Sequence, residues 1–325
     1  MRDRLSSVMT SLQTFLEHQP CSQTVKQTIL ALADAAEAIA QLAAQTSLSG
    51  HQMAAVTGGN NSDGDSQKQL DVISDELIFN ALKSLPLNSY FSEEQEHAQP
   101  IDSEGGISVA CDPLDGSSNI DTNLTIGTIF SVFPHTGADR PGTGRSQLAA
   151  GFFAYGPQTS LFLTCGQGSF GFALTDSGWQ AYEGGALMIP ARKCEFAINA
   201  SNQPYWFQPV SAYITSLLAN ADQNKVNMRW LGSLVADAFR IFRRGGIFLY
   251  PADSRPGYEQ GRLRLVYEAN PIAYLVEQAG GRATDGTTDI LDIQAESLHQ
   301  RVPFIFGSKE EVETFLSFSA EQDVS

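Results

Sequence analysis

The sequence predicts an α/β protein in which layers of helix and sheet share one large core. Three observations support this fold class. Residues 24–44 repeat apolar side chains at helical spacing. Four short segments rich in aromatic and β-branched residues lie between residues 128 and 174, which is typical of consecutive antiparallel strands. After Pro190 the pattern alternates between helices and strands, and no internal repeat of fixed period is present.

The first half of the chain is predicted to begin with one long amphipathic helix over residues 24–44, because its apolar residues recur every three or four positions. Residues 53–66 are rich in glycine, asparagine and serine and predict a mobile loop. A second helix is predicted over residues 71–85, and a strand is predicted to end near Tyr90 and Phe91. Further strands are predicted at 107–111, 128–133, 151–155, 160–164 and 170–174.

The second half is predicted to alternate between the two kinds of element. Helices are predicted at 209–221, 233–242 and 271–279. Strands are predicted at 246–250, 263–267 and 302–306. We place the domain boundary between residues 185 and 186, which gives an N-terminal α/β domain over 1–185 and a C-terminal α/β domain over 186–325.

A glycine pattern at residues 166–171 matches the dinucleotide-binding fingerprint G-x-G-x-x-G. The fingerprint requires a helix immediately after the glycines. Here the following residues are predicted to form a strand. We therefore interpret this segment as a hairpin turn.

Composition limits the classes of partner. The formal net charge is −16 over 325 residues, which argues against a nucleic-acid partner because phosphate backbones need a basic surface. The four cysteines form no C-x-x-C pair, so the sequence does not favour a structural zinc site or a disulfide framework. No signal-peptide core and no apolar run of about 20 residues is present, so we expect no membrane partner and a cytoplasmic location.

The most informative segment is Asp112-Pro-Leu-Asp115-Gly-Ser-Ser-Asn119, at the end of the predicted strand 107–111. Two carboxylates at a strand end match Mg²⁺, which prefers oxygen ligands. The glycine and serines that follow leave backbone N–H groups and hydroxyls available to an anion. The alternative is an Asx-type turn with solvated acids, and this segment alone does not decide between the two.

Other acids fall at comparable positions. Glu93 and Glu94 follow the strand that ends near Phe91, and Glu268 ends the predicted strand 263–267. Acids at the carboxyl ends of strands face the crevice in which α/β proteins bind ligands. Asp65 and Asp71 flank the end of the predicted mobile loop.

These segments together resemble class I fructose-1,6-bisphosphatase, within the lithium-sensitive phosphatase superfamily. The resemblance covers nearly the whole chain. It rests on Gly64-Asp65 with Leu70-Asp71-Val-Ile-Ser74, Ser92-Glu93-Glu94, Asp112-Pro-Leu-Asp-Gly-Ser-Ser-Asn119-Ile-Asp121, Gly127-Thr-Ile-Phe130, Gly232-Ser-Leu-Val-Ala-Asp237, Gly245-Gly-Ile-Phe-Leu-Tyr-Pro251 and Leu263-Arg-Leu-Val-Tyr-Glu268-Ala-Asn-Pro271. It implies an α-β-α-β-α sandwich of the sugar phosphatase type, usually a homotetramer, that removes the 1-phosphate of a sugar bisphosphate with Mg²⁺.

The resemblance also implies residue roles around the 1-phosphate. Two or three Mg²⁺ ions would be held by the carboxylates of Glu93, Asp112, Asp115 and Glu268 and by the carbonyl of Leu114. Glu94 and Asp71 would position and deprotonate the attacking water, and either of them is a candidate for the base. Asp65 would complete the site from the loop. The 1-phosphate would be held by Ser117, by the amides of Gly116 and Ser118, and by Arg264.

At the other end of the substrate, the resemblance implies that Asn199, Tyr250 and Arg262 bind the sugar and its 6-phosphate, and that Arg229 reaches across from a neighbouring subunit. A further binder is either Asn202 or Tyr205. The sequence departs from the family pattern at two positions. Arg262 stands where lysine is common, and a guanidinium changes the geometry of phosphate binding. Trp230 stands where a tyrosine hydroxyl would meet the phosphate, and it offers at most one donor.

Regulation by AMP is expected to be weak or absent. Members of the family that AMP inhibits bind its phosphate through a turn before the first long helix and through nearby cationic side chains. The matching stretches here, at residues 20–25, 106–107 and 133–134, contain no cationic residue.

Two alternatives to a fructose-1,6-bisphosphatase stay open at this point. Residues 121–127 and 144–150 also resemble sedoheptulose-1,7-bisphosphatases, so one enzyme with both activities is the first alternative. A non-catalytic metal-binding relative that kept the fold is the second.

Overall fold

The computed structural model describes residues 10–45, 56–60, 66–137, 140–219 and 221–320. The helices in these ranges are α1 (Leu12–Glu17), α2 (Gln23–Gln45), α3 (Gln69–Leu82), α4 (Gln208–Ala219), α5 (Ala221–Asn224), α6 (Leu234–Arg244), α7 (Asn270–Gln278) and α8 (Lys309–Ala320). The strands of the first half are β1 (Val56–Asn60), β2 (Ser66–Lys68), β3 (Ser89–Ser92), β4 (Gln99–Pro100), β5 (Ile107–Asp115), β6 (Ile126–Pro134), β7 (Ala149–Tyr155), β8 (Ser160–Thr164), β9 (Ser169–Thr175) and β10 (Gly178–Ala181). Those of the second half are β11 (Glu195–Ala197), β12 (Asn227–Met228), β13 (Ile247–Tyr250), β14 (Leu263–Arg264), β15 (Arg282–Thr284), β16 (Arg301–Val302) and β17 (Phe304–Gly307).

The larger sheet has eight strands in the order β10-β9-β8-β7-β6-β5-β3-β4. The run from β5 to β10 is antiparallel throughout, as the sequence predicts, and only β3 and β5 pair in parallel. The glycines at 166–171 lie at the turn between β8 and β9, where Thr164 pairs with Ser169. The hairpin interpretation is confirmed.

Both faces of this sheet are buried. Phe152 and Phe162 pack on one face in a core shared with α6 and α7, whereas Phe153 and Leu163 pack on the other face in a core shared with α2 and α3. This alternation is the strand period of two residues. Helices therefore cover the sheet on both sides.

The smaller sheet has five strands in the order β12-β11-β13-β17-β15. Strands β12, β11 and β13 are parallel, and β17 is antiparallel to both of its neighbours. Phe248 and Phe306 pack on the α6–α7 side, while Ile247 and Ile305 pack against α4 and α8 on the other side. The resulting order of helix, sheet, helix, sheet, helix confirms the expected α/β sandwich.

The predicted loop at residues 53–66 is partly a strand pair, because β1 pairs antiparallel with β2. Glycine and asparagine dominate this segment, so its own sequence carries no strand signal. The pairing depends on the residues that follow the segment.

Two predicted strand ends are wrong. Strand β5 continues past Cys111 to Asp115, because β6 supplies partners as far as Gly127. The predicted strand 263–267 is a strand only at Leu263–Arg264, and residues Leu265–Ala269 form a π-helical turn. Glu268 therefore lies within a turn and not at the end of a strand.

Among the described helices, none combines the length and the apolar character that crossing a bilayer requires.

Candidate active site

Three acidic side chains converge between the two sheets. Carboxylate oxygens of Asp112, Asp115 and Glu268 lie within 4.8 Å of one another, and all three residues are buried. Burial of three acids at one point is costly unless a cation or protons compensate the charge.

A bulge in β5 brings the first two acids together. Asp112 pairs with Ile129 and Asp115 pairs with Gly127, so three steps along β5 match two steps along β6. Residues three apart on a regular strand point to opposite faces, and one extra residue restores them to the same face. The backbone N–H of Leu114 donates to Asp112 Oδ1 at 3.0 Å inside the bulge.

The third acid comes from the π-helical turn at residues Leu265–Ala269. The backbone N–H of Arg264 donates to Glu268 Oε2 at 2.5 Å, which holds the carboxylate back over the start of the turn. Single π turns of this kind occur often at functional sites. The turn replaces the strand end that the sequence predicts and still directs Glu268 to the crevice.

Helix α6 approaches the cluster with its N-terminus. The Ser233 hydroxyl and the Val235 N–H donate to Asp115 Oδ2 at 3.2 and 3.0 Å. The positive end of the helix dipole favours a negative charge at this place. A Cβ on Gly127 would lie 2.7 Å from Val235 Cγ2 and 2.1 Å from the Phe153 carbonyl oxygen, so only glycine permits this approach.

The pKa values of the cluster reflect burial and mutual repulsion. Burial, followed by the charge of Glu93, raises the pKa of both Asp112 and Glu268 well above the ordinary values. Burial also raises the pKa of Asp115, but the hydrogen bonds from Val235 and Ser233 oppose the rise and hold it at about 6. The cluster is thus poorly compensated without a cation.

Arg264 and Glu93 lie next to the three acids. Arg264 is buried, and its Nη2 lies 3.5 Å from Glu93 Oε1. Glu93 follows β3, and the Glu94 N–H donates to Ser92 Oγ at 3.2 Å in the same turn. The charge of Glu94 contributes to the raised pKa of Asp112, which places Glu94 near the cluster.

The remaining residues predicted around the 1-phosphate have different placements. Asp71 is buried in the first turn of α3, a helix that packs on β5. Gly116 is left-handed with φ 77° and precedes a 3₁₀ helix at Ser117–Thr122. Ser117 is half-buried and Ser118 is exposed. Asp65 lies outside the described residues.

A pocket lies at the carboxyl end of β13. Its lining includes Asn199, Asn202 and Tyr250 among the residues for which the sequence predicts substrate contacts. Tyr205 and Arg262 do not line this pocket, but each contacts a residue that does: the Arg255 guanidinium lies 5.1 Å from the Tyr205 ring centroid, and Arg262 lies over the Tyr258 ring. Asn202 and Tyr205 both stay candidates for the further binder. Burial raises the pKa of Tyr250, and the charges of Arg262 and Glu268 also act on it. Both charged groups therefore lie near the pocket.

Asn199 and Arg229 make other contacts. The Asn199 Oδ1 accepts from the backbone N–H and the hydroxyl of Ser201 at 3.2 and 2.6 Å, so it begins the next short helix. Arg229 Nε lies 3.3 Å from Glu195 Oε2 and does not line the described pocket. The structure of one chain therefore does not bring Arg229 to the other substrate-binding candidates.

Among the residues at the acidic cluster and at this pocket that received no role from the sequence are Ser233, Val235, Arg255 and Tyr258. Ser233 carried a usable signal, because a serine directly before an apolar helical run is a typical N-cap. Arg255 and Tyr258 lie in a loop, and only the three-dimensional contacts reveal them.

The acidic cluster fits Mg²⁺. Its three ligands are carboxylates, the set includes no histidine or cysteine, and hard oxygen donors are those that Mg²⁺ prefers. Burial and repulsion raise the pKa values of Asp112 and Glu268, and a bound cation would offset that repulsion.

The chain is similar to known proteins along its length. Residues 9–182 match the family model described as fructose-1-6-bisphosphatase, N-terminal domain, and residues 189–320 match the C-terminal domain of the same family. The class 1 fructose-1,6-bisphosphatase of Azorhizobium caulinodans is 48% identical over 324 residues, covering 95% of this chain and 98% of that protein. One from Nitrobacter hamburgensis is 51% identical over 313 residues, covering 92% and 89%.

The fold agrees with this assignment. The crystal structure of the Leishmania major fructose-1,6-bisphosphatase in holo form superposes with a TM-score of 0.88 at 32% identity, covering 96% of this chain and 99% of that one. The layered sandwich, the matching of both halves and the level of identity lead to one conclusion. The chain belongs to the class 1 fructose-1,6-bisphosphatase family.

Proposed function

We propose that this chain hydrolyses the 1-phosphate of D-fructose 1,6-bisphosphate and releases fructose 6-phosphate and phosphate. The observation that carries the proposal is the buried cluster of Asp112, Asp115 and Glu268 beside the guanidinium of Arg264. A phosphate ester needs cations around its oxygens, and here acids that can hold cations lie beside a buried arginine.

Two or three Mg²⁺ ions would be held by Glu93, Asp112, Asp115 and Glu268 and by the Leu114 carbonyl. Bound Mg²⁺ polarises the phosphoryl oxygens and lowers the pKa of the attacking water. Support for the carboxylate ligands comes from the charges of Glu93 and Asp115, which raise the pKa of both Asp112 and Glu268.

The chain's own residues orient the reactants. Arg264, the Ser117 hydroxyl and the amides of Gly116 and Ser118 hold the 1-phosphate in line with the water. Glu94 and Asp71 accept hydrogen bonds from that water, and one of the two takes its proton. Asp65 is assigned to this site by the resemblance to the family, in which it completes the arrangement of acids.

The far end of the sugar bisphosphate occupies the pocket at the end of β13. Asn199, Tyr250 and Arg262 contact its phosphate and hydroxyl groups, and Arg229 of a neighbouring copy completes the pocket in a homotetramer. The charge of Glu268 acts on Tyr250, which supports one substrate that reaches from the acidic cluster to this pocket. The division into domains at 1–185 and 186–325 and the cytoplasmic location stay predictions.

The test is phosphate release from fructose 1,6-bisphosphate and from sedoheptulose 1,7-bisphosphate, each with Mg²⁺ and with EDTA. We expect Mg²⁺-dependent turnover of the fructose substrate. Asp112→Asn should abolish it, whereas Asp176→Asn, at an exposed site in the β9–β10 turn, should not change it. If the protein releases phosphate from neither sugar, the proposal is refuted.

A second candidate function is hydrolysis of both sugars, favoured by the resemblance of residues 121–127 and 144–150 to sedoheptulose-1,7-bisphosphatases. Comparable kcat/KM values for the two substrates would support it. Arg229→Ala tests the assembly separately, because it should raise KM and leave the dependence on Mg²⁺ unchanged.

A further inference from the structure

The loop between β13 and β14 carries an aromatic ring that contacts two cations. The guanidinium carbon of Arg255 lies 4.1 Å from the ring centroid of Tyr258, and that of Arg262 lies 4.6 Å from the same centroid. Both distances are within the range of a cation–π interaction, which is attractive for each arginine. One ring therefore holds two positive charges near the pocket that Tyr258 and Arg255 line together with Asn199 and Tyr250.

Arg255 is fixed by a buried acid. Its Nε and Nη2 donate to the two carboxylate oxygens of Asp253 at 2.9 and 2.5 Å, and Asp253 is 3% exposed. This pairing lowers the pKa of Asp253, so the carboxylate stays charged. Bidentate pairs of this kind have a fixed geometry. Arg255 thus forms a rigid support for the ring of Tyr258.

The backbone fixes the ring as well. The Asp253 N–H donates to the Tyr258 carbonyl at 3.2 Å, and the Tyr258 N–H donates to the Arg255 carbonyl at 2.9 Å. The Gly261 N–H also donates to the Tyr258 carbonyl, at 3.0 Å. The loop is therefore closed on itself by hydrogen bonds on both sides of Tyr258.

Arg262 is the cation that this arrangement orients. Its Nη1 donates to the Tyr258 hydroxyl, in addition to the contact with the ring. Among the residues that the structure describes, Arg262 forms no ion pair with a carboxylate. Its charge is thus held in place by a neutral partner and stays available to an anion, unlike the charge of Arg255.

We propose that Tyr258 is a positioning residue that sets the affinity of this enzyme for the phosphate remote from the reaction centre. It acts through Arg262: the hydroxyl and the ring hold the guanidinium toward the pocket, and Asp253 with Arg255 holds the ring. This inference rests on the proposed function, because it takes the remote phosphate of the sugar bisphosphate as the anion.

Two substitutions separate the hydroxyl from the ring. Tyr258→Phe removes the hydrogen-bond acceptor, and we expect KM for fructose 1,6-bisphosphate to rise about fivefold. Tyr258→Ala also removes the cation–π contact, and we expect a rise of about thirtyfold. In both variants kcat should stay within about twofold of the parent value, because the group acts on binding and not on the reacting phosphate. The Mg²⁺ concentration for half-maximal rate should not change.

A binding measurement provides an independent readout. Fructose 6-phosphate carries only the remote phosphate, so its dissociation constant, measured by calorimetry, should rise by the same factors as KM. The matched control is Tyr182→Phe. Tyr182 also has an arginine over its ring, Arg243 at 5.1 Å, and a hydroxyl that bonds to Ser160 at 2.8 Å, but it lies outside the pocket. This control should change neither constant.

The outcomes are distinguishable. If the parent protein hydrolyses the fructose substrate and both Tyr258 variants keep its KM and its fructose 6-phosphate affinity, the inference is wrong. A fall in kcat equal to the fall in kcat/KM would also overturn it, because it would place the effect at the reaction centre. If the parent protein turns over neither sugar, the proposed function fails, and fructose 6-phosphate binding still decides the role of Tyr258.

Discussion

Replacing Asp115 by asparagine should stabilise the metal-free protein and abolish its Mg²⁺-dependent phosphatase activity. Asp115 is 8% exposed and lies among other acids, so burial raises its pKa from the ordinary 3.8 to about 6. Asparagine keeps an oxygen that can accept from Val235 and Ser233, but it carries no charge. The substitution therefore removes the free-energy cost of burying a charge at this position and keeps the local hydrogen bonds.

The magnitude follows from the shift in pKa. The folded-state pKa lies above the unfolded value, so the folded state binds more protons between the two and its stability falls as pH rises through that window. A rise of about two pKa units corresponds to about 3 kcal/mol of lost stability well above the folded pKa, at about 1.36 kcal/mol per unit. At about pH 4.5 most of that loss is absent because Asp115 is protonated in the folded protein.

The assay is urea unfolding in EDTA at about pH 8 and about pH 4.5. We expect Asp115→Asn to exceed the parent free energy of unfolding by about 2–3 kcal/mol at the higher pH and by about 1 kcal/mol or less at the lower. Asp176→Asn is the exposed control and should match the parent at both. A variant no more stable than the parent at the higher pH, or a difference that does not shrink on acidification, would refute the reasoning.

Three further predictions follow from the charged groups. Burial and repulsion raise the pKa of Asp112 and Glu268, so protons compete with Mg²⁺ for these carboxylates. Mg²⁺ should therefore raise the melting temperature more at about pH 8 than at about pH 5.5, and an equal rise at both pH values would contradict this. A hydrogen bond from the Cys165 thiol lowers the pKa of Cys21 to about 7. The rate of Cys21 alkylation by iodoacetamide should therefore show a midpoint near that pH, and a rate that keeps rising about tenfold per pH unit through about pH 8 would rule out the lowered pKa. Glu195→Gln removes the charged buried partner of Arg240 and should lower the free energy of unfolding by about 3 kcal/mol, as measured by denaturant titration. The control Glu313→Gln, at an exposed position, should leave the free energy of unfolding unchanged.

Much of the fold could be predicted because its elements have strong local periods. The helix predicted at 24–44 is Gln23–Gln45, and the strand predicted at 160–164 is Ser160–Thr164. Buried side chains recur every three or four residues along the helix. The strand is a short run that is buried throughout, with Phe162 on one face of the sheet and Leu161 and Leu163 on the other. The sequence also predicts that Asp112 and Asp115 lie near one strand end, because they directly follow the apolar run 107–111.

The parts that could not be predicted depend on residues far apart in the sequence. The bulge in β5 depends on its pairing with β6, and the bond from Val235 to Asp115 joins residues 120 positions apart. The π-helical turn at 265–269 has the composition of a buried strand, so its sequence predicts the wrong backbone. The contacts of Tyr258 with two arginines have no periodic signal at all.

Helix α6 connects the acidic cluster with Arg229, the residue proposed to act in a neighbouring copy. Its first turn donates to Asp115, and Arg240 and Arg244 near its other end hold Glu195, which also pairs with Arg229. An α-helix of 11 residues is a stiff rod about 16 Å long, so its two ends move together. A neighbouring copy that bound Arg229 would break its ion pair with Glu195, and an ion that bound Asp115 would weaken its hydrogen bond to Val235. Both changes would act on helix α6, one at each end. Ion occupancy and subunit association are then thermodynamically linked, and such linkage has equal strength in both directions.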